Sequence, residues 1–414
     1  MKVFHYSGDK IGGAGRAALR LHQALLSAGD IESTLIAQGV QDQSIGVRVL
    51  DSSVASQIKS LVRPGLDRFP SRFLKGATNV PRSPSWLSAV TAQAINGTDA
   101  DVVHLHWTGA GFLSIENIGK IKKPVVWTLH DMWAFCGSEH LAPDDSGARW
   151  RHGYNAASRA VHSAGFDVDR WTWQRKRRAW GNPMHIVAPS RWLADCAGDS
   201  ALMREWPVSV IPNVLNTEKY KPVPKAQARD VLNLPQDKKL ILFGAIKGTQ
   251  MPHKGWDLLM PALEVLSGIW RDVEAVIFGQ NAPVVEPVIG MKLNWMGHIF
   301  DDATLALLYS AADVVVVPSR QEAFGQTASE AQACGCPVVG FNATGIRDVV
   351  EHGVTGYLAK PYEAADLVEG VRSVVEAQNR DDGIRRAARA RAVELWSQNV
   401  VSTLYRDLYS RALR

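Results

Sequence analysis

Four consecutive valines, Val314–Val317, constrain the fold more strongly than any other part of the sequence. β-Branched residues favour extended backbone, and a strand that is apolar on both sides has to be covered on both faces, as in a parallel sheet flanked by helices. Pro318 ends the strand, and residues 328–334 (ASEAQAC) are compatible with a helix after a short loop. The segment therefore predicts a strand–loop–helix unit of a parallel α/β fold.

Short apolar runs alternate with helical stretches in both halves of the chain. Strands are predicted at residues 3–7, 33–38, 102–106, 125–130 and 185–188 in the first half, and at residues 240–244, 275–279, 293–297, 314–317, 337–341 and 356–358 in the second. The predicted helices include residues 14–26, 256–269 and 302–312. This alternation is typical of doubly wound sheets, and 414 residues are enough for two domains.

Prolines in residues 212–225 indicate a linker between the two halves. We therefore expect an α/β fold with two Rossmann-like domains, formed by residues 1–212 and 213–396, whose facing strand ends enclose a cleft. The amphipathic stretch 397–414 is expected to form a helix that packs back on the first domain.

Composition narrows the class of protein. A hydrophobic content of 46% is typical of a globular chain, and no apolar run approaches the roughly 20 residues of a membrane-spanning helix. Residues 1–10 resemble a strand and a loop more than a signal peptide. Cys334 and Cys336 are too close to bridge comfortably, Cys136 and Cys196 stand alone, and no pair has zinc-site spacing. We therefore predict a cytoplasmic protein with reduced thiols.

The first half carries the excess of positive charge, mainly in residues 59–82 and 170–180. In the second segment, cations alternate with tryptophans, a mixture that suits an anionic membrane surface. The same pattern fits a helix whose tryptophans face the core, and stacking on single-stranded nucleic acid is a third interpretation. We favour the first two interpretations and predict no nucleic-acid binding.

Two glutamates lie on either side of the start of the helix predicted after the valine strand. Glu322 is in the loop, and Glu330 is about one turn inside the helix. Thr327 and the small residues before it leave the first N–H groups of the helix available to an anion. Carboxylates accept hydrogen bonds from vicinal hydroxyls, so the pair suits a sugar or ribose beside a phosphate. Two ordinary surface acids are the alternative interpretation.

A glycine-rich loop opens the first predicted helix. Gly13 and Gly15 allow backbone amides to approach a phosphate, and Arg16 adds a cation. The loop also matches a loosened dinucleotide fingerprint, but the acid expected about 20 residues further on, at the end of the second strand, is missing. NAD binding is therefore disfavoured.

Histidines lie at or near predicted strand ends. We interpret His104 and His106 as core residues, whereas His130, followed by Asp131, lies where ligands bind in doubly wound folds. The HxH pair resembles part of a metal site, but no carboxylate or third histidine stands at a spacing that would complete it. We therefore predict no metal.

In the second half, His253 and Lys254 precede a predicted helix. A lysine near a helix N-terminus can neutralise the charge of a leaving diphosphate, although alone it would be a surface lysine.

Together, these motifs resemble the retaining glycosyltransferases of family 4, which have the GT-B architecture of two facing Rossmann-like domains. The resemblance lies in residues 12–18 (GGAGRAA), 129–133 (LHDMW), 188–193 (APSRWL), 211–220 (IPNVLNTEKY), 253–259 (HKGWDLL), 322–339 (the two glutamates through ACGCPVV) and 345–358 (GIRDVVEHGVTGYL). The LHDMW motif is similar to the branch that builds bacterial surface polysaccharides. The resemblance implies transfer from a UDP- or GDP-linked sugar to a glycan or lipid-linked acceptor, without a metal or other cofactor. The basic segments, of which residues 170–180 contain tryptophans, predict peripheral association with the inner face of the plasma membrane.

The resemblance also implies a role for each motif. Glu330 would hold the donor ribose, Glu322 would lie near the transferred sugar, and Lys254 would neutralise the diphosphate. The implied catalytic residues are His130, Glu322 and Lys254. The implied donor-binding residues are Gly13, Gly15, Arg16, His253, Lys254, Phe324, Gly325, Gln326, Thr327 and Glu330, and the implied nucleobase region is Gly297, His298 and Ile299.

One position departs from the family pattern. An arginine usually follows the glycine that ends the first strand of the second domain, but this chain has Ala245 there. Lys247 and His253 are the candidates to supply the missing positive charge. If the missing charge is not replaced, the alternative function is a scaffold that binds nucleotide sugars with little catalysis. A GT-B epimerase acting on nucleotide sugars is a further alternative.

Overall fold

The computed structural model describes residues 1–8, 12–38, 45–50, 54–76 and 80–414, and for residues 54–57 it describes the backbone alone. The chain divides into two compact units. Unit 1 comprises Met1–Val214 and Val401–Arg414, and unit 2 comprises Leu215–Val400. The boundaries expected from the sequence, after residues 212 and 396, differ from these by a few residues. Within the described ranges, no helix combines the length and the apolar character needed to cross a membrane.

Unit 1 contains a seven-stranded parallel sheet and a separate antiparallel pair of short strands. The strands are β1 (Lys2–Ser7), β2 (Glu32–Ala37), β3 (Val47–Val49), β4 (Leu74–Lys75), β5 (Val102–Leu105), β6 (Val125–Thr128), β7 (Ala164–Gly165), β8 (His185–Ala188) and β9 (Val208–Val210). The sheet order is β3-β2-β1-β5-β6-β8-β9, and β4 pairs with β7. The edge strands β3 and β9 are too short for the sequence pattern to predict them.

Seven helices of unit 1 precede the linker within the described residues. They are α1 (Gly13–Ala28), α2 (Val54–Arg68), α3 (Ala92–Asn96), α4 (Ile115–Gly119), α5 (Arg149–His152), α6 (Val168–Ala179) and α7 (Arg191–Asp199). Leu21 and Leu25 of α1 join Val3 and Val102 of the sheet in one apolar cluster. The helix ends at Gly29, whose φ of 80° is a left-handed conformation that glycine adopts without strain.

The tryptophan-rich segment 170–180 faces the interior of unit 1. Trp173 and Trp180 are buried, and so is Lys176 between them in the sequence. The Lys176 ammonium donates hydrogen bonds to three backbone carbonyls of the loop after β6, those of Trp133, Cys136 and Gly137. The structure therefore supports the interpretation in which these tryptophans belong to the core.

Unit 2 contains a six-stranded parallel sheet with helices on both faces. Its strands are β10 (Lys239–Gly244), β11 (Val273–Phe278), β12 (Lys292–Trp295), β13 (Val314–Val317), β14 (Val338–Phe341) and β15 (Gly356–Ala359), in the order β12-β11-β10-β13-β14-β15. The helices are α8 (Lys225–Val231), α9 (Trp256–Ile269), α10 (Asp302–Ala311), α11 (Gln326–Ala333), α12 (Ile346–Val349), α13 (Ala364–Gln378) and α14 (Gly383–Trp396).

The four valines of β13 are buried, as predicted. Val315 and Val317 belong to the apolar cluster that includes residues of α10, α11 and α14, whereas Val314 and Val316 belong to the cluster that includes residues of α9 and α13. This division follows from the alternation of side chains along a strand. The strand is therefore covered by helices on both faces.

The strand order of unit 2 reverses between β10 and β13. In open α/β sheets, ligands bind outside the carboxyl ends of the strands at such a reversal, because the two connecting loops diverge there and leave a crevice. The residues that follow β10 and β13 are therefore the first place to look for a binding site.

The last helix, α15 (Gln398–Ala412), contributes to the core of unit 1. An amphipathic pattern predicts that Val401, Leu404 and Leu408 face the core. Val401 and Leu408 are buried, but Leu404 is 40% exposed, so its assignment to the stripe is wrong. Tyr405 and Tyr409 are buried instead, because their hydroxyl groups find polar partners inside unit 1.

Candidate functional site

Lys254 and Glu322 meet at the carboxyl edge of the unit 2 sheet. The Nζ atom of Lys254 lies 2.6 Å from Oε1 of Glu322, and the Ser319 hydroxyl donates to the same oxygen at 2.8 Å. Burial raises the pKa of Glu322, but the Lys254 ammonium and the Ser319 hydroxyl outweigh it and leave the pKa below its ordinary value. The pair is therefore an ionised contact between residues that the sequence singled out separately.

The turn that carries Lys254 is clamped to the loop after β13. Arg320 donates its backbone N–H to the His253 carbonyl at 2.8 Å, and its guanidinium contacts Asp257 at 2.7 and 2.8 Å. A Cβ atom on Gly255 would lie 1.9 Å from the Pro318 carbonyl oxygen, so only glycine allows this approach. Arg320 was not predicted as a site residue, because its partner Asp257 lies 63 residues earlier in the chain.

Helix α11 begins at the same edge. Gly325 precedes the helix with φ 99° and ψ 64°, and a Cβ atom there would lie 2.5 Å from Cδ1 of Ile346. Gln326 and Thr327 form the first turn, whose N–H groups point out of the helix end, as in anion-binding sites. Phe324 is buried and packs edge-on against Trp396, so its backbone rather than its side chain remains for a ligand.

A hydrogen bond from the core of unit 2 fixes the Glu330 carboxylate. Glu330 is 4% exposed, and its Oε2 accepts a hydrogen bond of 2.7 Å from the Tyr309 hydroxyl. Burial and the charge of Glu330 raise the pKa of Tyr309, which keeps the phenol protonated as a donor. Tyr309 lies 21 residues before Glu330 on another helix, and no local pattern in the sequence predicts the contact.

The loop after β10 contains the position where the family pattern has arginine. A Cβ atom on Gly244 would overlap the Phe278 ring, so a glycine is required, and the next residue, Ala245, is half-buried. Lys247 is exposed and has a left-handed φ of 51°. Burial, followed by the Lys254 charge, lowers the pKa of His253, which makes this imidazole a poor source of positive charge.

The predicted nucleobase region follows β12 at the sheet edge. The Gly297 carbonyl accepts a 2.8 Å hydrogen bond from the N–H of Gly279, which follows the neighbouring strand β11. The His298 ring is exposed and stacks on Phe300, with centroids 6.1 Å apart, whereas Ile299 packs against the core. The region thus presents a glycine backbone and an exposed aromatic pair.

In unit 1, helix α1 starts inside the glycine loop. Its first residue is Gly13, Gly15 is buried, and the Arg16 N–H bonds to the Gly12 carbonyl at 2.9 Å. No side chain caps this helix at Gly12, and its first turn lacks an acidic residue. Residues 9–11, which precede the loop, lie outside the described residues.

His130 and Asp131 follow β6 in unit 1 and line a small pocket with Trp107, Trp133 and His140. Asp131 Oδ2 lies 2.6 Å from His140 Nδ1, and His140 Nε2 lies 2.8 Å from the Ser83 hydroxyl. Burial raises the pKa of Asp131, but His140 outweighs burial and lowers it overall. An aromatic wall beside a fixed carboxylate suits the apolar face and the hydroxyls of a sugar.

A cluster of buried histidines lies beside His130, and one of its members was missed. Parallel pairing of β1 and β5 places His5 opposite His104, and ring nitrogens of His5, His104 and His106 lie within 4.8 Å of one another. A third histidine, His5, therefore lies beside the HxH pair, which spacing along the chain could not reveal because it does not show the register between strands. Both ring nitrogens of His104 have hydroxyl partners, Tyr409 at 2.6 Å and Thr128 at 2.8 Å.

The structure thus groups the predicted residues by unit. Lys254 and Glu322 are in direct contact in unit 2, where Gly325–Thr327 and Glu330 belong to the adjoining loop and helix. Gly13, Gly15, Arg16 and His130 belong to unit 1.

Two protein families match the chain. Residues 11–219 match the family described as Glycosyltransferase Family 4, and residues 224–391 match Glycosyl transferases group 1. The D-inositol 3-phosphate glycosyltransferase 2 of Catenulispora acidiphila is 31% identical over 228 residues, which are 50% of this chain and 51% of the relative. The Frankia alni enzyme of the same name is 28% identical over 318 residues, 69% and 70% of the two chains. The chain spans about half the length of most of the curated relatives it matches.

Solved structures of low identity share the fold. The HepE protein of Anabaena, in complex with UDP and glucose, has a TM-score of 0.65 at 18% identity over 99% of both chains. Sucrose-phosphate synthase from Thermosynechococcus elongatus has a TM-score of 0.68 at 19% identity, over 99% of this chain and 100% of that one. Starch synthase IV from Arabidopsis thaliana, bound to ADP and acarbose, has a TM-score of 0.65 at 13% identity, over 100% and 99%. The fold is therefore α/β of the GT-B class, with two Rossmann-like domains.

Proposed function

Because the chain belongs to glycosyltransferase family 4, we propose that it transfers a sugar from a nucleotide diphosphosugar to a hydroxyl acceptor. The observation that carries the proposal is the ionised contact of Lys254 with Glu322 at the strand reversal of unit 2, beside the start of α11. A partly buried lysine and helix amides at one edge match the negative charge of a diphosphate.

The donor would bind along the carboxyl edge of unit 2. Lys254 and the first-turn amides of α11 would hold the diphosphate, Glu330 would accept hydrogen bonds from the ribose, and residues 297–299 would contact the base. HepE holds UDP and glucose, and starch synthase IV holds ADP, so nucleoside diphosphates occur in proteins of this fold. UDP- and GDP-linked sugars are the first donors to test.

Lys254 and Ser319 both contact Oε1 of the Glu322 side chain, so Oε2 would accept a hydrogen bond from a hydroxyl of the transferred sugar. Lys254 and the helix amides would stabilise the charge that develops on the departing diphosphate, which removes the need for a metal. We propose retention of configuration, with attack on the same face and the leaving phosphate taking the acceptor proton. This step needs no nucleophile from the protein.

Unit 1 would bind the acceptor, for which we propose a glycan or a lipid-linked oligosaccharide of a polysaccharide pathway. The aromatic residues and the fixed carboxylate around His130 support a sugar ligand there. The relatives are named for D-inositol 3-phosphate, so this polyol phosphate belongs in the same acceptor screen.

A transfer assay with Glu330→Ala tests the function. We expect sugar transfer by the wild-type protein and at least a tenfold loss in the variant, since the ribose would lose its acceptor. Asp366→Ala, which removes a unit 2 carboxylate bonded to Tyr357, should retain activity and serves as the control. Binding of nucleotide sugars without turnover would identify a scaffold, and conversion of the donor without an acceptor would identify an epimerase.

We also propose that unit 1 binds an anionic membrane surface through α2 and the turn that follows it. Six large apolar side chains there are between 48% and 81% exposed: Ile58, Leu61, Val62, Leu66, Phe69 and Phe73. Four exposed cations lie among them: Lys59, Arg68, Arg72 and Lys75. Exposed apolar residues interleaved with cations are typical of helices that lie in a membrane interface.

Asp67, the one acidic residue of residues 54–76, does not offset the positive charge of this surface. Asp67 is buried and accepts hydrogen bonds from the backbone N–H groups of Ser85, Trp86 and Leu87 at 3.0 to 3.2 Å. Among residues 58–76, the exposed charged side chains are therefore all cationic. Residues 77–79 of the cationic segment lie outside the described residues.

Liposome flotation tests the membrane proposal. We expect binding to vesicles that contain phosphatidylglycerol and a loss of at least tenfold in Leu61→Ser/Phe69→Ser, because two apolar anchors are removed. Val265→Ser, which changes a 52% exposed apolar residue of unit 2, is the matched control. Equal binding by both variants, or no binding at all, would contradict the assignment.

A further inference from the structure

Three histidines of unit 1 form a row that ends at the pocket. Nδ1 of His5 lies 3.0 Å from Nε2 of His106, and Nδ1 of His106 lies 3.1 Å from Nε2 of His130. His5 and His106 are buried, whereas His130 is partly exposed and lines the pocket. We refer to His5, His106 and His130 as the histidine row.

The sheet of unit 1 builds the row. His5 is opposite His104 in the register of β1 with β5, and His106 lies two residues further along the same face. The rings of His5 and His106 stack at 5.3 Å with 23° between their planes, and those of His106 and His130 at 5.4 Å with 22°. Ring stacking therefore restricts the orientation of each imidazole in the row.

Each nitrogen–nitrogen contact in the row needs one proton. A neutral imidazole has a single N–H, so His106 must donate in one contact and accept in the other. Two arrangements remain. In the first, His5 donates from Nδ1, His106 donates to His130, and the His130 proton is on Nδ1. In the second, all donors are reversed, the His130 proton is on Nε2, and His5 carries its own proton on Nε2.

The environment of His5 separates the two arrangements. Its Nε2 is buried and has no hydrogen-bond partner among the described residues. The second arrangement would bury an unpaired N–H donor at this atom, whereas the first leaves only a lone pair, and unpaired buried donors are the rarer case in proteins. Burial also lowers the pKa of His5 and of His106, which keeps the two inner rings neutral.

We propose that His5 and His106 are positioning residues that hold His130 as the Nδ1–H tautomer, so that His130 donates a hydrogen bond to a substrate oxygen and does not act as a general base. The contact with substrate rests on the proposed function, but the tautomer does not. The nitrogen that a histidine presents to its ligand is set by the bond that its other nitrogen makes.

Clustered histidines can also bind a metal ion, but the hydrogen bonds of this cluster argue against a metal site here. His104, the remaining member of the cluster, has both nitrogens bonded to hydroxyls, and both nitrogens of His106 belong to the row. An ion would have to break several of these contacts. Added Zn²⁺ should therefore leave the ¹⁵N signals of the row unchanged, and shifts on stoichiometric zinc would overturn the proposal.

Long-range ¹H–¹⁵N NMR of the full-length protein measures the tautomer without any substrate. His130→Asn identifies the His130 signals by their loss. We expect a protonated Nδ1 and an unprotonated Nε2 for His130 at pH 7.5. A proton on Nε2, or an imidazolium, would overturn the proposal even if the protein proves to be an active transferase.

Two substitutions of His5 test the link to His130. His5→Asn keeps a donor near the position of Nδ1, whereas His5→Phe keeps a ring without a donor. We expect His5→Phe to mix the two tautomers of His130 and to lower kcat about tenfold with little change in KM, and His5→Asn to restore both. An unchanged tautomer in His5→Phe would overturn the proposal.

Tyr409→Phe is the structural control, because it removes the hydroxyl bonded to His104 Nδ1 without touching the row. We expect this substitution to leave the tautomer of His130 unchanged. If Tyr409→Phe mixes the tautomers as much as His5→Phe does, general loosening of the core would explain the effect and the proposal would fail.

Discussion

The carboxyl edges of the two sheets hold their polar side chains in different ways. In unit 2, full charges face each other, as Lys254 with Glu322 and Arg320 with Asp257. In unit 1, burial keeps the inner imidazoles of the row, those of His5 and His106, neutral, and the nearby Asp131 carboxylate contacts another imidazole, that of His140. Fixed charge suits a diphosphate, whereas an oriented neutral donor suits a hydroxyl or ring oxygen, so the contrast fits a division of labour between donor and acceptor.

Removal of the Lys254 charge should have the largest effect. We expect Lys254→Ala to lower kcat/KM for sugar transfer by about 30- to 1,000-fold, equivalent to 2 to 4 kcal/mol of transition-state stabilisation. Lys239→Ala is the matched control, since Lys239 pairs with Asp272 at the opposite end of β10. A normal rate in Lys254→Ala would mean that the charged edge of unit 2 does not stabilise the departing diphosphate.

Lys176 is a buried amine of unit 1, and its loss should affect stability. We expect Lys176→Met to lower the free energy of unfolding by about 3 kcal/mol, because three buried carbonyls lose their hydrogen-bond donor. The measurement is denaturant unfolding followed by tryptophan fluorescence. Arg178→Met, which changes an exposed cation of the same helix, should have little effect.

This loss should also depend on pH. Burial lowers the pKa of Lys176 from 10.5 to about 7, so between these values the unfolded chain binds more protons than the folded one. The contribution of Lys176 to the free energy of unfolding therefore rises with pH in that window, and the Lys176→Met variant lacks this rise. The deficit of the variant should be larger at pH 9 than at pH 7, and a smaller deficit at pH 9 would contradict the assignment.

A smaller effect is expected from Tyr309→Phe, which removes the donor to Glu330. Loss of one hydrogen bond of about 1 kcal/mol should raise KM for the donor about fivefold and leave kcat nearly unchanged. Tyr357→Phe removes a comparable tyrosine–carboxylate contact elsewhere in unit 2 and should leave KM unchanged. If the KM for the donor is the same in Tyr309→Phe as in Tyr357→Phe, Tyr309 does not position Glu330.

The smallest effect should come from Lys247, the remaining candidate for the charge missing at Ala245. Because Lys247 is exposed and its charge is screened, Lys247→Ala should raise KM for the donor only about threefold, or less than 1 kcal/mol. Ala245→Arg in the same background should restore the KM. An unchanged KM in Lys247→Ala would show that Lys247 does not supply the missing charge.

Local patterns predicted much of this structure. The strand Val314–Val317 and the helix Trp256–Ile269 have the predicted bounds, since runs of β-branched residues and a 3.6-residue periodicity are local signals. Lys254 and Glu322 were selected by their positions beside predicted helices. What the patterns could not supply is register: His5 contacts His106, 101 residues away, only because β1 pairs with β5 in one alignment.

Burial of polar groups was equally hard to predict. The alternation of cations with tryptophans in residues 170–180 is similar in a membrane-bound helix and in α6, where Lys176 is buried. Its three carbonyl partners come from a loop about 40 residues earlier, so only the folded chain reveals that the charge is satisfied. The apolar residues of α2 show the opposite case. They are exposed because no other described element packs over them, and the sequence alone does not reveal this.

Calorimetric titration of UDP and GDP into the wild-type protein, Lys254→Ala and Lys239→Ala tests the central claim most directly. If the Lys254–Glu322 edge of unit 2 binds the donor diphosphate, one of the nucleotides binds the wild-type protein and Lys239→Ala with equal affinity, and Lys254→Ala at least tenfold more weakly. Equal affinity for all three proteins, or no binding of either nucleotide, would contradict the account.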